Sequence, residues 1–525
     1  MLALYHRAPS DSRRIALNHS FYNLIATGML VAALPVPSGA PAVQGPESVK
    51  DWYEAGQRFI RDAERLKPQL GQARNVILFV GDGMGISTLT AARILEGQLQ
   101  GRPGEENRLS FEDFPYTALS KTYTWDQQTP DSAPTMTAMI TGYKAREGML
   151  SVDHLTPRGE CDAATVAAHA LPTLLEQAAA AGKATGVVST ARLTHATPAA
   201  TYAHTPMRDW EADADLPAGC GVKDIARQLI EVSPTVRDSL KVAMGGGRTN
   251  FIPATQADPE NGKQGKRKDG RDLVVEWQRT RGQDARYVWN QADFDRIDPA
   301  QTSHLLGLFE SGHMQYELDR AKDKGGEPSL TGMTEKAIRI LQREKQGFFL
   351  HVESGRIDHA HHAGNAKRAL LEVIELARAV RKAQEMTDPR ETLIIVTADH
   401  SHVFTMAGYP HRGNDILGLV SEVPETDGMP ALSKKDRFGL PYTTLGYANG
   451  PGWRDPAAHG GKRPDLAHAD THADDFLPEA TIPLESETHG GEDVAIFASG
   501  PMAHLVHGSM EQNWVYHVMR RAFGF

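Results

Sequence analysis

The sequence predicts an α/β protein built on a doubly wound, mainly parallel sheet with helices on both faces. Short apolar runs typical of buried strands recur at 75–80, 184–190, 240–245, 348–352, 393–398 and 494–499. Helical patterns, such as 170–181 and 333–343, lie between them, and this alternation favours a parallel sheet that is covered on both sides. Asp82, Glu353 and the pair Asp399-His400 follow such runs, and these sheets bind ligands beyond the carboxyl ends of their strands.

The length and composition are those of a large enzyme domain. With 525 residues, of which 40% are hydrophobic and 23% charged, the chain can bury a large core. We favour one large domain with insertions over several small domains. The formal net charge of -10 argues against nucleic-acid recognition, which normally requires a basic stripe, and the basic segment 263–268 is short.

Residues 1–42 have the features of an export signal, which leaves 43–525 as the folded domain. Arg13 and Arg14 precede an apolar run at 24–34, and small residues follow it. That run is too short to span a bilayer, and no other long apolar run follows, so we expect no membrane span in the mature chain. The alternative is a buried N-terminal helix. Export to the periplasm or the exterior implies an oxidising compartment, where the only two cysteines, Cys161 and Cys220, can pair.

The segment 348–364 carries the strongest chemical signal. Its apolar start predicts a buried strand, which is followed at once by several potential metal ligands: Glu353, Asp358, His359, His361 and His362. Carboxylates and imidazoles crowded at the end of a buried strand would repel one another or lack partners without a cation. We therefore predict a metal site here. The alternative is a solvated loop that is merely rich in histidine.

A glycine-rich loop, Gly81-Asp82-Gly83-Met84-Gly85, lies between the predicted strand 75–80 and a helical pattern at 87–95. As a nucleotide-binding loop it is a weak match, because it lacks both the fingerprint spacing and the P-loop lysine. We predict instead that Asp82 reaches a metal from the end of the strand.

Two other regions depart from the strand and helix alternation. An amphipathic helix is predicted over 47–69, where it would pack on its own domain. The region 407–483 is rich in Gly, Pro, Asp and His, and we interpret it as an insertion over the site. His468 and His472 within it are expected to be solvated.

Ser132 is the candidate nucleophile. It lies just before a helical stretch at 135–140, where backbone N–H groups and the positive end of the helix dipole can attract an anion. Pro134 is tolerated in a first helical turn. The alternative is that Asp131 or Ser132 simply caps the helix.

Several motifs together resemble the alkaline phosphatase family, in the family's order, from about Trp52 to the C-terminus. They are the loop 81–85, Asp131-Ser132-Ala133, Thr194-His195-Ala196-Thr197-Pro198, Met207-Arg208-Asp209-Trp210, the run 353–362, Thr397-Ala398-Asp399-His400-Ser401-His402 and the run 487–493. The resemblance implies an alkaline-phosphatase-like fold with 407–483 as a crown-like insertion. It also implies hydrolysis of small phosphate monoesters to an alcohol and inorganic phosphate, by a homodimer.

The resemblance also implies a ligand set for two Zn²⁺ and one Mg²⁺. One zinc would be held by Asp358, His362 and His489. The other would be held by Asp82, Asp399, His400 and the Ser132 oxygen. Asp82 would also reach the magnesium, which Thr197 and Glu353 complete. Nitrogen and oxygen ligands suit zinc and an all-oxygen set suits magnesium, so the residue types agree with the assignment.

In the implied reaction Ser132 attacks phosphorus and forms a phosphoserine, which water then hydrolyses. Arg208 would clamp the phosphate, because a guanidinium fork matches two phosphate oxygens. His195 and His359 would also bind substrate, and they place the sequence nearer the animal branch of the family than the best-known bacterial form. Pro134 stands where the family usually has a small residue, and it removes a backbone N–H near the nucleophile.

Two further features follow from the resemblance to the animal branch. Cys161 and Cys220 would form a disulfide after export. A calcium site would be formed by Glu260, Phe309, Glu310 and Glu327, an all-oxygen set that suits a hard cation.

Three alternative functions remain open. A sulfatase of the same superfamily would carry an arginine after the nucleophile, in the pattern x-Pro-x-Arg, but the chain reads Ser132-Ala-Pro-Thr-Met136. A phosphodiesterase typically lacks the combination of Arg208 with the magnesium ligands. An inactive exported metal-binding protein would be expected to have lost Ser132 or a zinc ligand.

Overall fold

The computed structural model describes residues 49–427, 429 and 431–525. The predicted export signal, 1–42, lies outside the described residues. The helices are α1 (Val49–Arg65), α2 (Ile86–Leu99), α3 (Ser132–Thr141), α4 (Ala163–Ala168), α5 (Leu174–Ala180), α6 (Ala196–Ala199), α7 (Ile225–Ile230), α8 (Pro234–Ser239), α9 (Leu273–Arg281), α10 (Gln291–Asp295), α11 (Leu330–Leu341), α12 (Arg356–His362), α13 (Ala366–Met386) and α14 (Trp514–Phe523).

The strands are short and lie between the helices. They are β1 (Asn75–Gly81), β2 (Tyr116–Lys121), β3 (Ala184–Arg192), β4 (Leu240–Gly246), β5 (Ala285–Val288), β6 (His304–Leu308), β7 (Phe348–Ser354), β8 (Thr392–Ala398), β9 (Ser401–His402), β10 (Phe404–Met406), β11 (Ser421–Glu422), β12 (Leu432–Ser433), β13 (Leu445–Gly450), β14 (Ala480–Pro483), β15 (His489–Gly490), β16 (Val494–Ser499) and β17 (Gly508–Glu511).

A 10-stranded sheet forms the centre of the molecule, in the order β17-β2-β16-β8-β1-β7-β3-β4-β6-β5. From β8 to β5 every neighbouring pair is parallel. β16 runs antiparallel to both of its neighbours, β8 and β2. The predicted doubly wound, mainly parallel sheet is therefore confirmed.

Apolar side chains cover both faces of this sheet. α3, α5, α9 and α14 pack on one face, and α2, α11 and α13 pack on the other. The central strands β1, β7 and β8 are buried along almost their whole length, as expected of parallel strands covered on both sides. Polar groups at the ends of these strands are therefore held by a rigid, water-free framework.

Local chemistry explains where the structure departs from the predicted boundaries. The helix expected at 170–181 begins only at Leu174, because Thr173 caps it and exchanges hydrogen bonds with Glu176 in a capping box. The helix expected from Thr135 begins at Ser132, where the Asp131 carboxylate accepts a hydrogen bond from the Ala133 N–H. The nucleophile candidate thus lies in the first helical turn.

The segment that contains the predicted insertion folds into small sheets of its own. β10, β13 and β14 form a three-stranded sheet, and β11 pairs with β12. The boundaries 407–483 stay a prediction. Among the described residues, no helix combines the length and the apolar character needed to cross a bilayer.

Candidate metal centre

Acidic side chains meet at the carboxyl ends of three adjacent parallel strands. β1 lies between β7 and β8, with Val80 beside Glu353 and Gly81 beside Ala398. Asp82 and Asp399, each the next residue after its strand, are thereby brought close to Glu353. Three groups of His, Asp and Glu side chains at this edge have potential ligand atoms within 4.8 Å of one another.

The first group joins α12 to the short strands β9 and β15. It contains Asp358, His362, His402 and His489. The Oδ1 atom of Asp358 lies 3.2 Å from His362 Nε2, 3.3 Å from His489 Nε2 and 2.9 Å from His402 Nε2. The structure thus brings together the three residues predicted for one zinc and adds His402 to them. The position of His402 in the motif 397–402 did not indicate which group it would join.

Hydrogen bonds at the other ring nitrogens orient two of these imidazoles. His362 Nδ1 lies 2.6 Å from the Glu487 carbonyl oxygen and His489 Nδ1 lies 2.7 Å from the Pro130 carbonyl oxygen. A carbonyl oxygen can only accept, so each Nδ1 carries the proton and each Nε2 offers a lone pair to the centre. This is the arrangement that a metal-binding histidine requires.

The second group contains Asp82, Asp399 and His400, with Ser132 beside it. Ser132 Oγ lies 3.1 Å from His400 Nε2 and 3.4 Å from Asp82 Oδ1. Asp399 Oδ1 accepts hydrogen bonds from the Gly83 and His400 N–H groups, at 3.0 and 2.9 Å. All the residues predicted for the other zinc are therefore in one place.

The third group contains Asp82, Glu353 and His195. Thr197 Oγ1 donates a hydrogen bond to Asp82 Oδ2 at 3.5 Å, which puts the predicted magnesium residues together. Ser189 donates to Glu353 Oε2. The structure adds His195, whose buried Nδ1 has no hydrogen-bond partner among the described residues.

The electrostatics of this edge fit a cluster of cations. Asp82, Glu353, Asp358 and Asp399 are buried, and within the described part of the chain none of the four pairs with a lysine or arginine. Asp399 Oδ2 and Glu353 Oε1 are buried there without hydrogen-bond partners. Burial, followed by the neighbouring carboxylates, raises the pKa of Asp82 well above its usual range. Unpartnered buried carboxylate oxygens of this kind are what bound cations would satisfy.

Arg208 lies beside the nucleophile candidate. Its guanidinium contacts the Asp131 carboxylate through Nη1 and His195 Nε2 through Nη2, the latter at 2.9 Å. Asp131 also accepts a hydrogen bond from the Gly148 N–H at 3.2 Å. Asp131, predicted only as a possible helix cap, therefore both caps α3 and orients Arg208.

The two other predicted substrate-binding residues form a wall of imidazoles with a third histidine. The ring centroids of His195 and His359 are 5.3 Å apart, and His313 lies 3.9 Å from His359. Arg192 donates its backbone N–H to His313 Nδ1 at 3.1 Å. His313 was not among the predicted site residues, and nothing in the sequence showed that it would face His359.

The predicted disulfide is confirmed: Cys161 and Cys220 are bonded. It lies beside a small separate core that includes Met149, Val166 and Trp210. Trp210 is two residues from Arg208, so the bond and this core stabilise the loop that carries the guanidinium.

A separate acidic group, away from these three, contains Glu260, Glu310 and Asp323. Asp323 was not predicted. Glu327, which was predicted, has one oxygen that accepts a hydrogen bond from the Gln315 N–H at 2.8 Å and another that is buried without a partner among the described residues. Burial, aided by the charges of Asp323 and Glu310, raises the pKa of Glu327 to about 9, so all these carboxylates lie near one another.

A doubly wound sheet with buried clusters of metal ligands around a helix-start serine defines a metal-dependent hydrolase. Comparison with known proteins makes this specific. The family profile described as alkaline phosphatase matches residues 73–525. The chain belongs to the alkaline phosphatase family and is a metal-dependent phosphate monoester hydrolase.

Animal relatives are similar over nearly the whole sequence. The chain is 47% identical to the tissue-nonspecific alkaline phosphatase isozyme of Gallus gallus, over 91% of this chain and 90% of that protein. It is 46% identical to the isozyme of Homo sapiens, over 91% and 89%. It is 45% identical to an alkaline phosphatase of Gadus morhua, over 91% and 98%.

Bacterial structures share the fold at lower identity. The alkaline phosphatase of the Antarctic bacterium TAB5 has a TM-score of 0.58 and 20% identity, over 87% of this chain and 99% of that chain. The enzyme of Thermus thermophilus has a TM-score of 0.60 and 23% identity, over 88% and 93%. The sequence is therefore nearer to the animal branch, as the motifs indicated.

Proposed function

We propose that the protein hydrolyses phosphate monoesters through a phosphoserine on Ser132. The observation that carries this proposal is the position of Ser132 Oγ, buried at the start of α3 and 3.1 Å from His400 Nε2. The hydroxyl lies between candidate metal ligands and the N–H groups of a first helical turn, which favour negative charge. A hydroxyl so placed is what a metal-activated nucleophile requires.

The same residues support two zinc ions and one magnesium ion. Asp358, His362 and His489 would hold one zinc; Asp82, Asp399, His400 and Ser132 would hold the other; Asp82, Thr197 and Glu353 would hold magnesium. Bound together, these ions would activate the nucleophile and water and stabilise charge on the attacking and leaving oxygens. His402 is a further donor beside Asp358, and His195 is a further donor beside Asp82 and Glu353.

The reaction then takes two displacements at phosphorus. The Ser132 oxygen loses its proton, bonds to phosphorus and displaces the ester oxygen, which leaves with a proton as the alcohol. Water then attacks the phosphoserine, which restores the Ser132 hydroxyl and releases inorganic phosphate. The position of Ser132 in the first turn of α3 keeps its oxygen fixed for both steps.

Arg208 would bind two oxygens of the phosphoryl group. Its fork reaches the site from the loop beside the disulfide, and Asp131 and His195 hold it in place. A lysine would present only a point charge, so the geometry favours arginine. His195, His313 and His359 line the same side as the fork, where they would limit the size of the ester group.

A comparison of substrates tests the proposal. On the purified, metal-loaded protein, we expect phosphate monoesters to be hydrolysed with a kcat/KM at least about 100-fold above that for matched diesters and sulfate esters. A monoester dianion offers three unsubstituted oxygens and two negative charges to Arg208 and the cations together, whereas a diester offers two such oxygens and one charge, and a sulfate ester carries only one charge. The monoester, the diester and the sulfate ester that are compared should all release the same alcohol. A diester or sulfate ester turned over as fast as the monoester would contradict the assignment.

The acidic group supports a calcium ion as a fourth metal. We propose Glu260, Phe309, Glu310 and Glu327 as its ligands, with Asp323 joining Glu260 and Glu310 in the group that the structure brings together. The donors are carboxylate or carbonyl oxygens, and loop carboxylates suit the loose geometry of calcium better than the strict octahedron of magnesium. Glu260 is also fixed by Arg248, whose Nη2 donates to it at 2.9 Å.

Calcium content should fall when these charges are removed. In the double variant Glu260→Gln, Glu310→Gln we expect at least roughly a tenfold loss of bound calcium per chain, with zinc content unchanged, because the catalytic clusters do not include either residue. The comparison is metal analysis of the wild type, this double variant and Glu335→Gln, which changes a half-buried acid on α11 outside the acidic group. Equal calcium in all three proteins would exclude the site.

We propose a homodimer. Trp52, Tyr53, Phe59 and Ile60 on α1 are each more than half exposed, which is unusual for large apolar side chains unless a partner covers them. A homodimer is also what the resemblance to the alkaline phosphatase family implies. Sedimentation equilibrium measures the assembly state, and a monomer at micromolar concentration would exclude the homodimer.

We also propose export to the periplasm or the exterior. The disulfide supports it, because such bonds persist in oxidising compartments. Cell fractionation checks the compartment, and retention of the mature protein in the cytosol would contradict the proposal.

A further inference from the structure

A buried arginine without a counter-ion lies at the opposite end of the sheet from the metal centre. Arg281 is the last residue of α9 and is only 8% exposed. Its Nε and Nη2 atoms are buried and have no hydrogen-bond partner among the described residues. Its one hydrogen bond runs from Nη1 to Thr280 Oγ1, at a long 3.4 Å.

The two other arginines that are buried in the described part of the chain are fully paired. Arg248 donates to Asp258 and Glu260, and Arg267 donates to Asp224 and Asp269. A buried guanidinium without such partners is costly, because its desolvation is not offset by hydrogen bonds. The unpaired guanidinium of Arg281 is therefore the exception that requires an explanation.

His304 supplies a second unsatisfied donor nearby, because it pairs in the sheet with Ala285, four residues after Arg281. It is the first residue of β6, is 8% exposed, and its buried Nε2 also has no partner within the described residues. Its Nδ1 lies 3.2 Å from Ser303 Oγ. Burial, with the nearby charges of Lys241 and Arg281, lowers the pKa of His304 to about 4, so the ring is neutral. If Ser303 donates to Nδ1, the proton of the neutral ring is on Nε2.

The remaining charges around Arg281 leave an excess of positive charge. Lys241 lies beside His304, because Val242 of β4 pairs with Leu305 of β6. Lys241 lies 3.7 Å from Glu344, and Arg237 pairs with Asp238 at 2.9 Å. The two acids are thus matched by Lys241 and Arg237, which leaves the Arg281 charge unopposed.

We propose that Arg281 and His304 bind a tetrahedral oxyanion of the phosphate or sulfate class. Such an anion accepts several hydrogen bonds at once, which matches a guanidinium edge together with an imidazole N–H. The site lies at the amino ends of β4 and β6, one strand length, or about 20 Å, from the carboxyl ends where the metal centre lies. It is a second anion site, distinct from the one that holds the reacting phosphoryl group.

Crystals of the metal-loaded protein grown in selenate provide the direct test. Selenate has the shape of sulfate, and its selenium can be located by anomalous scattering. We expect one anomalous peak between Arg281 and His304, in addition to any peak at the catalytic centre. In the variant Arg281→Met the first peak should be lost, while the catalytic peak remains as an internal control.

Thermal unfolding gives an independent readout. In sulfate, compared with chloride at equal ionic strength, we expect Tm of the wild type to rise by about 3 °C more than that of Arg281→Met. His304→Gln should also lose most of the extra rise in Tm that sulfate produces. This second variant keeps the test valid if Arg281→Met does not fold. Arg286→Met, an exposed arginine on the neighbouring strand β5, should keep the full increment.

Three results would overturn the proposal. The first is a wild-type crystal with selenate at the catalytic centre and none at Arg281. The second is an equal sulfate increment in the wild type, Arg281→Met and His304→Gln. The third is a carboxylate of a second copy of the chain paired with Arg281, which would make this an interface instead of an anion site.

Discussion

Replacing Ser132 with alanine is expected to lower kcat/KM for phosphate monoesters by about three orders of magnitude or more. The change removes only the oxygen that bonds to phosphorus, and no other hydroxyl among the described residues lies within hydrogen-bond distance of both His400 Nε2 and Asp82 Oδ1. The neighbouring carboxylates and imidazoles remain, so zinc content should stay close to that of the wild type.

Acid-quenched reactions with a ³²P-labelled monoester measure this effect directly. The wild type should yield one labelled serine, and Ser132→Ala should yield none. Ser509→Ala, an exposed serine on β17, serves as the matched control and should keep both label and activity. Full turnover by the Ser132 variant, or wild-type turnover without serine phosphate, would refute the mechanism.

Removal of the metals should abolish activity, by roughly 100-fold or more, and should also destabilise the fold. Without cations, the buried carboxylates of Asp82, Glu353 and Asp399 repel one another, and burial raises the pKa of each. Zinc should restore most of the activity after dialysis against a chelator, and magnesium should add to it. Unchanged activity after exhaustive chelation would be decisive against a metal-dependent reaction.

The stability of the metal-free protein should depend on pH in a particular direction. Burial, with Asp399, raises the pKa of Glu353 from 4.5 to about 7. A carboxyl with a raised pKa favours the folded state while protonated, so this contribution is present below pH 4.5 and is lost as pH rises through about 7. The difference in Tm between loaded and metal-free protein should therefore widen over that interval, and a constant difference would contradict it.

The sequence predicted the sheet well because strands and helices depend on short-range patterns, and the side chains predicted as ligands come together at its edge. β1, β7 and β8 are continuous apolar runs, and Asp82 and Asp399 directly follow their strands. β2 and β17 were not predicted, because they are short strands near one edge of the sheet whose many exposed positions resemble loops. β16 was predicted as a strand, but an isolated apolar run does not reveal that it runs antiparallel.

Residues that act through distant partners could not be placed from the sequence. Asp131 contacts Arg208 and His402 contacts Asp358, and both contacts depend on how loops far apart in the chain meet. Asp323 joins Glu260 and Glu310 in the same way, although no motif marked it. Local spacing identifies the type of a ligand, whereas only tertiary folding decides which group it enters.

The bond between His489 Nδ1 and the Pro130 carbonyl oxygen links positions 359 residues apart. His489 is a proposed metal ligand that comes late in the chain and is oriented by the loop that precedes the nucleophile candidate. The proposed centre can therefore be completed only when almost the whole polypeptide has been made. A ribosome-bound or prematurely terminated chain that ends before His489 would hold most of the sheet and yet lack a working centre. The order of residues along the chain would thus keep a partly synthesised phosphatase inactive toward the phosphate esters around the ribosome.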